Sequence, residues 1–268
     1  MIYTDLNTEI DVGSSGHLIE FGPFRALVDC GLHPKYMGLS ALPNLSKVPP
    51  ETLDFIAVTH THLDHCGSLP VVARHQSSAH ILVADESYEL LFRMLRNSRT
   101  VMAKQREEFN IKEYPLFDYS AIDELRSRVA PMPFAHTRRY EIDGNLADIT
   151  FYPAGHIPGA ASVMFEYKKQ KGLFSGDISF HSTGILKGAV PPVGRVDTLE
   201  YLYRGGRLSK TGALAGTLLG IRPVLTVQDG ALCVLGKARE QIVLTEDILK
   251  VHRLGNVEAH LMDDRRGR

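Results

Sequence analysis

The sequence predicts a mixed α/β fold for most of the chain. Short apolar runs that end at Gly, Pro or polar residues alternate with segments of helical spacing, such as the strand-like Leu53–Val58 and the helix-like residues 86–108. The alternation lacks the regular period of a Rossmann or barrel fold. The chemically interesting side chains follow strands, where irregular backbone can direct them into a shared cleft.

The individual elements follow in chain order. Alternating or continuous apolar runs predict strands, and the Asp143-Gly144 pair predicts a tight turn between two of them. Strands are predicted at 17–21, 25–29, 53–58, 80–83, 140–152 (a pair around the turn), 161–167 and 172–175. Helices are predicted at 69–75, 86–108 and 120–128.

Composition excludes several classes of protein. Of the 268 residues, 44% are hydrophobic and 23% charged, which is ordinary for a globular protein. The 30 basic and 31 acidic residues leave a net charge of −1, so any nucleic-acid contact must be a local patch. No apolar stretch is long enough for a membrane span, and the N-terminus lacks the pattern of a signal peptide. Three scattered cysteines predict no disulfide framework, and we expect a cytoplasmic protein.

The strongest chemical signal is a group of four potential metal ligands within six residues: His60, His62, Asp64 and His65. In a strand-to-loop segment, His60 and His62 point to the same side because side chains alternate. The turn that follows can bring Asp64 and His65 to a second point nearby. Imidazole and carboxylate ligands without thiolates are typical of catalytic rather than structural zinc sites.

The same residues resemble a known family. Thr59-His-Thr-His-Leu-Asp-His-Cys-Gly67 resembles the HxHxDH motif of the metallo-β-lactamase superfamily. Three further segments are similar to its other motifs: Val28-Asp-Cys-Gly31, Ala154-Gly-His156 and Ser175-Gly-Asp177. The sequence around the last two is most similar to the β-CASP branch of nucleases. Over residues 1–195 the resemblance implies an αββα sandwich, here truncated and followed by a C-terminal appendage.

The resemblance also implies roles for individual residues. His60, His62 and His156 would hold a first zinc ion, Asp64 and His65 a second, and Asp177 would bridge the two. Asp64 and Asp177 would also take part in catalysis by a metal-activated water, Asp64 by orienting that water or taking its proton. Asp29 would orient a ligand without binding metal, although a turn-forming Asp is an equal alternative.

The implied substrate is RNA or another phosphodiester, and an oligomeric state is not predicted. Three alternatives stay open: a zinc hydrolase of small esters or thioesters, a lipid-binding module, and a metal-binding protein without turnover. The last is motivated by an incomplete second metal site. Complete family members add a downstream histidine there, and the remaining candidates, His252 and His260, lack a supporting motif. Glu200 is a doubtful substitute for the acidic residue that the β-CASP branch places after the fourth motif.

The composition changes near residue 196, so we expect three parts: 1–195, 196–240 and a tail at 241–268 of unknown role. Residues 196–240 resemble the C-terminal part of DegV-type fatty-acid-binding proteins, in stretches such as Gly220-Ile-Arg-Pro-Val-Leu-Thr-Val-Gln-Asp-Gly230. The lipid-binding lobe of that family has no counterpart here, so a fatty-acid partner is not expected. Glycines at 212, 216 and 220 predict a closely packed helix, and Asp229-Gly230 predicts a hairpin.

Overall fold

A computed structural model describes residues 1–7, 13–179, 182–189, 222–228 and 231–238. The chain divides into two compact units, Met1–Pro191 and Pro192–Arg268. Within the described ranges, every helix is too short or too polar to cross a lipid bilayer. The predicted three-part division of the chain stays a prediction.

The first unit contains a six-stranded sheet whose strands follow one another in chain order. The first three strands pair antiparallel, and β3 to β6 pair parallel. The strands are β1 (Ile2–Asp5), β2 (His17–Phe21), β3 (Phe24–Val28), β4 (Phe55–Val58), β5 (His80–Ala84) and β6 (Val129–Met132). All four residues of β4 are buried, which explains why this central parallel strand has a continuous apolar sequence.

The second sheet has four antiparallel strands in the order β10-β9-β8-β7. They are β7 (Thr137–Ile142), β8 (Asn145–Pro153), β9 (Ala161–Tyr167) and β10 (Gln170–Phe174). The turn between β7 and β8 has φ values of 52° at Asp143 and 72° at Gly144. Two successive positive φ values are the requirement of a type I′ turn, so the predicted strand pair around Asp143-Gly144 is confirmed.

Four α-helices accompany the first sheet: α1 (Leu63–Cys66), α2 (Leu69–Arg74), α3 (Tyr88–Phe109) and α4 (Tyr119–Arg128). Their buried apolar side chains join those of Ile56 and Val58 in one core cluster. The α4 helix begins where the Asp118 carboxylate accepts a hydrogen bond from the Ala121 backbone N–H at 2.8 Å. The three helices predicted from apolar spacing are therefore confirmed.

A second core cluster lies between the two sheets. Phe55 and Ala57 of β4 face this cluster, while their neighbours Ile56 and Val58 face the helices, as the two-residue period of a strand requires. Aromatic side chains fill the space from both sheets, including Phe151 and Phe165 of the second. Among the described residues the layers are therefore helix, sheet and sheet. The truncated αββα sandwich is confirmed as a mixed α/β fold with two facing sheets, and the described residues form no helical layer on the outer face of the second sheet. The described helices all contribute to the helical side of the first sheet.

Two edge strands, β1 and β6, were not predicted from the sequence. The β1 strand has no fully buried residue, so its sequence carries no apolar pattern. The β6 strand contains Pro131, which cannot donate a backbone hydrogen bond and normally argues against a strand. Both strands lie at the margins of the sheet, where a missing donor or an exposed face is tolerated.

The described part of the second unit is an antiparallel hairpin of β11 (Arg222–Gln228) and β12 (Ala231–Ala238). The pairing shifts between Val224 and Leu225, which marks a β-bulge. The hairpin predicted around Asp229-Gly230 is confirmed. The predicted helix with glycines at 212, 216 and 220 lies outside the described residues, as do Glu200, His252 and His260.

Candidate metal centre

The candidate ligands follow strands of both sheets and meet at one edge of the sandwich. His60 and His62 come directly after β4, and α1 begins at the next residue, Leu63. His156 follows β8 and Asp177 follows β10, both in the second sheet. Ligands that are more than a hundred residues apart in sequence are thus brought together because the two sheets face each other.

The first group of ligands consists of His60, His62, His156 and Asp177. One ligand atom from each lies within 4.8 Å of all the others. The Nδ1 atom of His62 is 3.1 Å from Nε2 of His60 and 3.3 Å from Nε2 of His156. The Oδ2 atom of Asp177 is 3.5 Å from Nε2 of His156 and 3.9 Å from Nε2 of His60. Three ring nitrogens and one carboxylate oxygen therefore converge on one point.

The second group lies on the other side of the Asp177 carboxylate. Its Oδ1 atom is 3.5 Å from Nε2 of His65, and the same nitrogen is 3.8 Å from Oδ2 of Asp64. The two oxygens of Asp177 thus face different groups of ligands, as a bridging residue must. The side chain of Asp177 is 48% exposed and that of Asp64 is 27% exposed, so the centre is open to solvent on this side.

Asp29 lies beneath both groups and is only 1% exposed. Its Oδ2 atom accepts a hydrogen bond from Nδ1 of His65 at 2.8 Å. Thr59 donates its backbone N–H to Oδ1 of Asp29 at 2.7 Å and its hydroxyl to Oδ2 at 2.8 Å. Asp29 therefore contacts a ligand rather than the metal position, as the resemblance implied, and its role as the residue that orients this ligand stays a prediction.

Close backbone packing holds the loops of the centre in place. The backbone N–H groups of Cys30 and Leu32 donate to the carbonyls of His65 and Leu63, at 2.8 and 2.7 Å. Between them, Gly31 passes so near Asp64 that an added Cβ would lie 1.7 Å from the Asp64 carbonyl oxygen. Position 31 therefore requires a glycine, because the segment after β3 must pass close to Asp64 for Asp29 to lie beneath the HxHxDH segment.

The loop that carries His156 is held by a serine that the sequence analysis missed. Buried Ser87 donates its hydroxyl to the Gly159 carbonyl at 2.9 Å. Gly159 has a φ of +76°, and a Cβ there would lie 2.3 Å from the Ser87 Oγ atom. Thr59 was also missed, although it directly precedes the first histidine of the motif. No periodicity marks either residue, because each acts through individual hydrogen bonds rather than through apolar packing.

The two buried histidines of the centre have opposite electrostatic environments in the metal-free protein. Burial opposes protonation of His65, yet the charge of Asp29, the hydrogen bond to it, and the charges of Asp177 and Asp64 raise its pKa to about 9. Burial and the neighbouring His65 charge lower the pKa of His60 to about 4. A free histidine has a pKa of about 6.5.

These shifts predict a maximum of stability near pH 6.5 for the metal-free protein. The raised pKa of His65 adds stability below pH 6.5 that is lost as the pH rises through 9, and the lowered pKa of His60 adds stability that is lost as the pH falls through 4. The alkaline loss should reach about 3 kcal/mol. Urea unfolding of chelator-treated protein across this range measures it. Stability that stays constant or increases above pH 6.5 would contradict the prediction.

Two cysteines and one histidine lie in the segments that carry Asp29 and His65. Cys66 is buried, and burial together with the charges of Asp29 and Asp64 raises the pKa of its thiol far above the usual range. Cys30 is likewise a buried thiol with a raised pKa, chiefly because of burial. Neither thiol is poised for metal binding or nucleophilic attack. His33 is buried and packs on Tyr36, with ring centroids 4.3 Å apart.

The donor set fits a divalent transition metal. Three imidazole nitrogens with one carboxylate oxygen form an N/O site, and the second group adds one further imidazole and one further carboxylate. The structure thus brings together all six predicted ligands, His60, His62, Asp64, His65, His156 and Asp177. Their individual roles remain predictions.

Comparison with known proteins gives the family of the chain. A family model described as the metallo-β-lactamase superfamily matches residues 11–204. A second model, described as an uncharacterised DegV family, matches residues 195–260, most of which lie outside the described residues. These matches confirm both resemblances, to the metallo-β-lactamase superfamily and to the DegV family.

Curated relatives are similar over the same region. A cleavage and polyadenylation specificity factor subunit 3-I of Arabidopsis thaliana is 28% identical over 72% of this chain and 26% of its own length. The endoribonuclease YSH1 of Saccharomyces cerevisiae is 27% identical over 68% of this chain and 24% of its own. The cleavage and polyadenylation specificity factor 73 of Drosophila melanogaster is 26% identical over 88% and 34%. The chain spans about a quarter to a third of the length of these relatives.

Among solved structures, a mutant metallo-β-lactamase from Cronobacter sakazakii is 18% identical, with a TM-score of 0.40 over 63% of this chain and 58% of that one. A flavo di-iron protein mutant from Thermotoga maritima is 20% identical, with a TM-score of 0.35 over 57% and 31%. The family model covers well over half of the sequence and all six predicted ligands. The chain therefore belongs to the metallo-β-lactamase superfamily.

Proposed function

We propose that this chain is a metal-dependent hydrolase that cleaves phosphodiester bonds in RNA, with zinc as its resident metal. The observation that carries the proposal is the convergence of His60, His62, His156 and Asp177 within 4.8 Å, with the second oxygen of Asp177 turned towards His65. The RNA substrate is favoured by relatives whose names describe endoribonucleases and polyadenylation factors.

The residues divide the work as follows. His60, His62 and His156 would hold one ion, Asp64 and His65 the other, and Asp177 would contact both through its two oxygens. When bound, the ions would lower the pKa of a coordinated water towards about 7 and neutralise charge that develops on the phosphoryl oxygens. Asp64, which is half-buried and next to His65, would orient the attacking water or take its proton.

The open side of the centre suits a polymeric substrate. Asp177 and Asp64 are partly exposed, whereas His60 and Asp29 are buried beneath them. A phosphate can therefore approach from the solvent side, while the buried residues keep the ligands in position. The net charge of −1 adds no general attraction for RNA, so affinity would come from contacts near the centre.

The test uses the purified full chain with zinc. End-labelled single-stranded RNA and a small thioester are incubated in parallel, with Asp177→Ala as the inactive control. The proposal expects RNA fragments, no thioester turnover, loss of cleavage with a chelator and recovery when zinc is restored. Turnover of the thioester alone would refute the RNA substrate and support the ester hydrolase.

Metal analysis on the same sample tests the non-catalytic alternative. Among the described residues the second group offers only Asp64 and His65 besides the shared Asp177, which is a sparse set for a tightly held ion. Two zinc ions per chain together with cleavage would support the proposal. One ion without turnover of either substrate would support a metal-binding protein instead, and no bound ion would refute the metal centre itself.

A further inference from the structure

The hydroxyl of Thr59 lies between a metal-ligand candidate and the buried carboxylate beneath it. Thr59 is 1% exposed, and its Oγ1 atom donates to Oδ2 of Asp29 at 2.8 Å. The same oxygen is 3.1 Å from Nδ1 of His60. A hydroxyl has a single proton, and here that proton goes to the carboxylate. Towards His60, the hydroxyl therefore acts as an acceptor, and Nδ1 of His60 must be the donor.

We propose that Thr59 is a positioning residue that fixes the tautomer of His60 and so connects Asp29 to the first metal site. With the proton on Nδ1, the lone pair of His60 is on Nε2, the atom that faces His62 and Asp177. The inference rests on the proposed metal centre but does not depend on the RNA substrate.

Asp29 would then orient one histidine of each metal site. It accepts directly from Nδ1 of His65 at 2.8 Å, which leaves Nε2 of His65 for the second site. It reaches His60 through Thr59, whose hydroxyl lies within hydrogen-bonding distance of both Oδ2 of Asp29 and Nδ1 of His60. Metal-binding histidines commonly donate their other ring N–H to such a partner, and its loss typically weakens metal binding about 10- to 100-fold.

Thr59 is tightly packed, so a test of its hydroxyl group must keep the volume of the side chain. The Asp177 loop passes directly over this side chain: a Cβ on Gly176 would lie 2.7 Å from both Cβ and Oγ1 of Thr59. Valine has the same shape as threonine without the hydroxyl, and serine has the hydroxyl without the methyl group. The two substitutions therefore separate the hydrogen bond from the packing.

The experiment compares wild type, Thr59→Val and Thr59→Ser as full chains, using zinc competition against a chromophoric chelator. Thr59→Val should bind zinc at the first site about 10- to 100-fold more weakly, while Thr59→Ser should stay close to wild type. The control is Thr150→Val, which removes another buried threonine hydroxyl, 2.9 Å from Thr137 Oγ1 in the second sheet. This control should bind zinc normally.

Histidine side-chain NMR of the zinc-loaded proteins gives a readout that packing alone would not change. Wild type and Thr59→Ser should show a His60 Nδ1 proton protected from exchange, and Thr59→Val should lose that protection. The Nδ1 proton of His65 should stay protected in all three, since its bond to Asp29 is direct.

Three results would overturn the inference. One is unchanged zinc affinity and an equally protected His60 proton in Thr59→Val. Another is a loss of zinc affinity of about 10-fold or more in Thr59→Ser, because the hydroxyl is kept there and the effect would belong to packing. This loss is measured against wild type, so it counts even where the valine variant fails to fold. The third is a wild-type chain that binds no zinc, which would refute the metal centre as well, whereas zinc binding without RNA cleavage would refute the proposed substrate alone.

Discussion

Replacing Asp177 with alanine should abolish turnover while the fold is retained. Its two oxygens face different groups of ligands, His60 and His156 on one side and His65 on the other. The substitution therefore removes a ligand from both candidate sites at once. We expect at least a roughly 1000-fold decrease in kcat/KM, since metal activation is worth several kcal/mol. Bound zinc should fall from two ions per chain to one or fewer.

The secondary structure of Asp177→Ala should be close to wild type because this side chain is 48% exposed and follows β10 rather than lying in it. Circular dichroism measures the secondary structure of this variant. Initial rates and metal analysis measure the expected losses of turnover and bound zinc. His62→Ala should behave in the same way at the first site. The control is Asp123→Ala. Asp123 is an exposed residue of α4 that pairs with Arg96 of α3, so this variant should cleave at the wild-type rate. Wild-type activity in Asp177→Ala would contradict the assigned role.

Replacing Gly31 with alanine should have the largest effect on stability. The added Cβ would lie 1.7 Å from the carbonyl oxygen and 2.1 Å from the carbonyl carbon of Asp64, both of which are backbone atoms. Neither can rotate away, so the segment carrying Asp64 and His65 must move. We expect a loss of roughly 3 kcal/mol or more in the free energy of unfolding, together with weaker zinc binding at the second site.

Urea unfolding and zinc titration measure the two effects of Gly31→Ala. The matched control is Gly184→Ala, because an added Cβ at Gly184 has no atom within 4 Å. That variant should unfold at the wild-type urea concentration. An equally small effect in Gly31→Ala would contradict the close approach of Gly31 to the Asp64 carbonyl group.

The sequence predicts those parts of the fold that have a clear local period. The 22 residues of α3 bury one face, and β4 is buried throughout, so both have patterns that propensity and spacing reveal. The strand pair around Asp143-Gly144 is encoded by the turn itself. The edge strands β1 and β6 are not predictable in this way, since an exposed strand and a strand with Pro131 lack the pattern.

The candidate site divides along similar lines. His60, His62, Asp64 and His65 stand out because four ligands are crowded into one short segment. His156 and Asp177 are single residues in unremarkable loops, and only the resemblance to a known family connected them to the first four. Thr59 and Ser87 were not predicted from the sequence, because a single hydroxyl group can have many roles. Only their hydrogen-bond partners in the structure, Asp29 and Gly159, show which role applies.

The placement of the ligands on two sheets has a consequence for folding. His60 and His62 extend from the six-stranded sheet, whereas His156 and Asp177 extend from the four-stranded one. A complete set of ligands exists only when both sheets have formed and docked, so tight ion binding requires the folded sandwich. A bound ion would act as a non-covalent cross-link between the sheets, and its binding free energy would add to the free energy of unfolding.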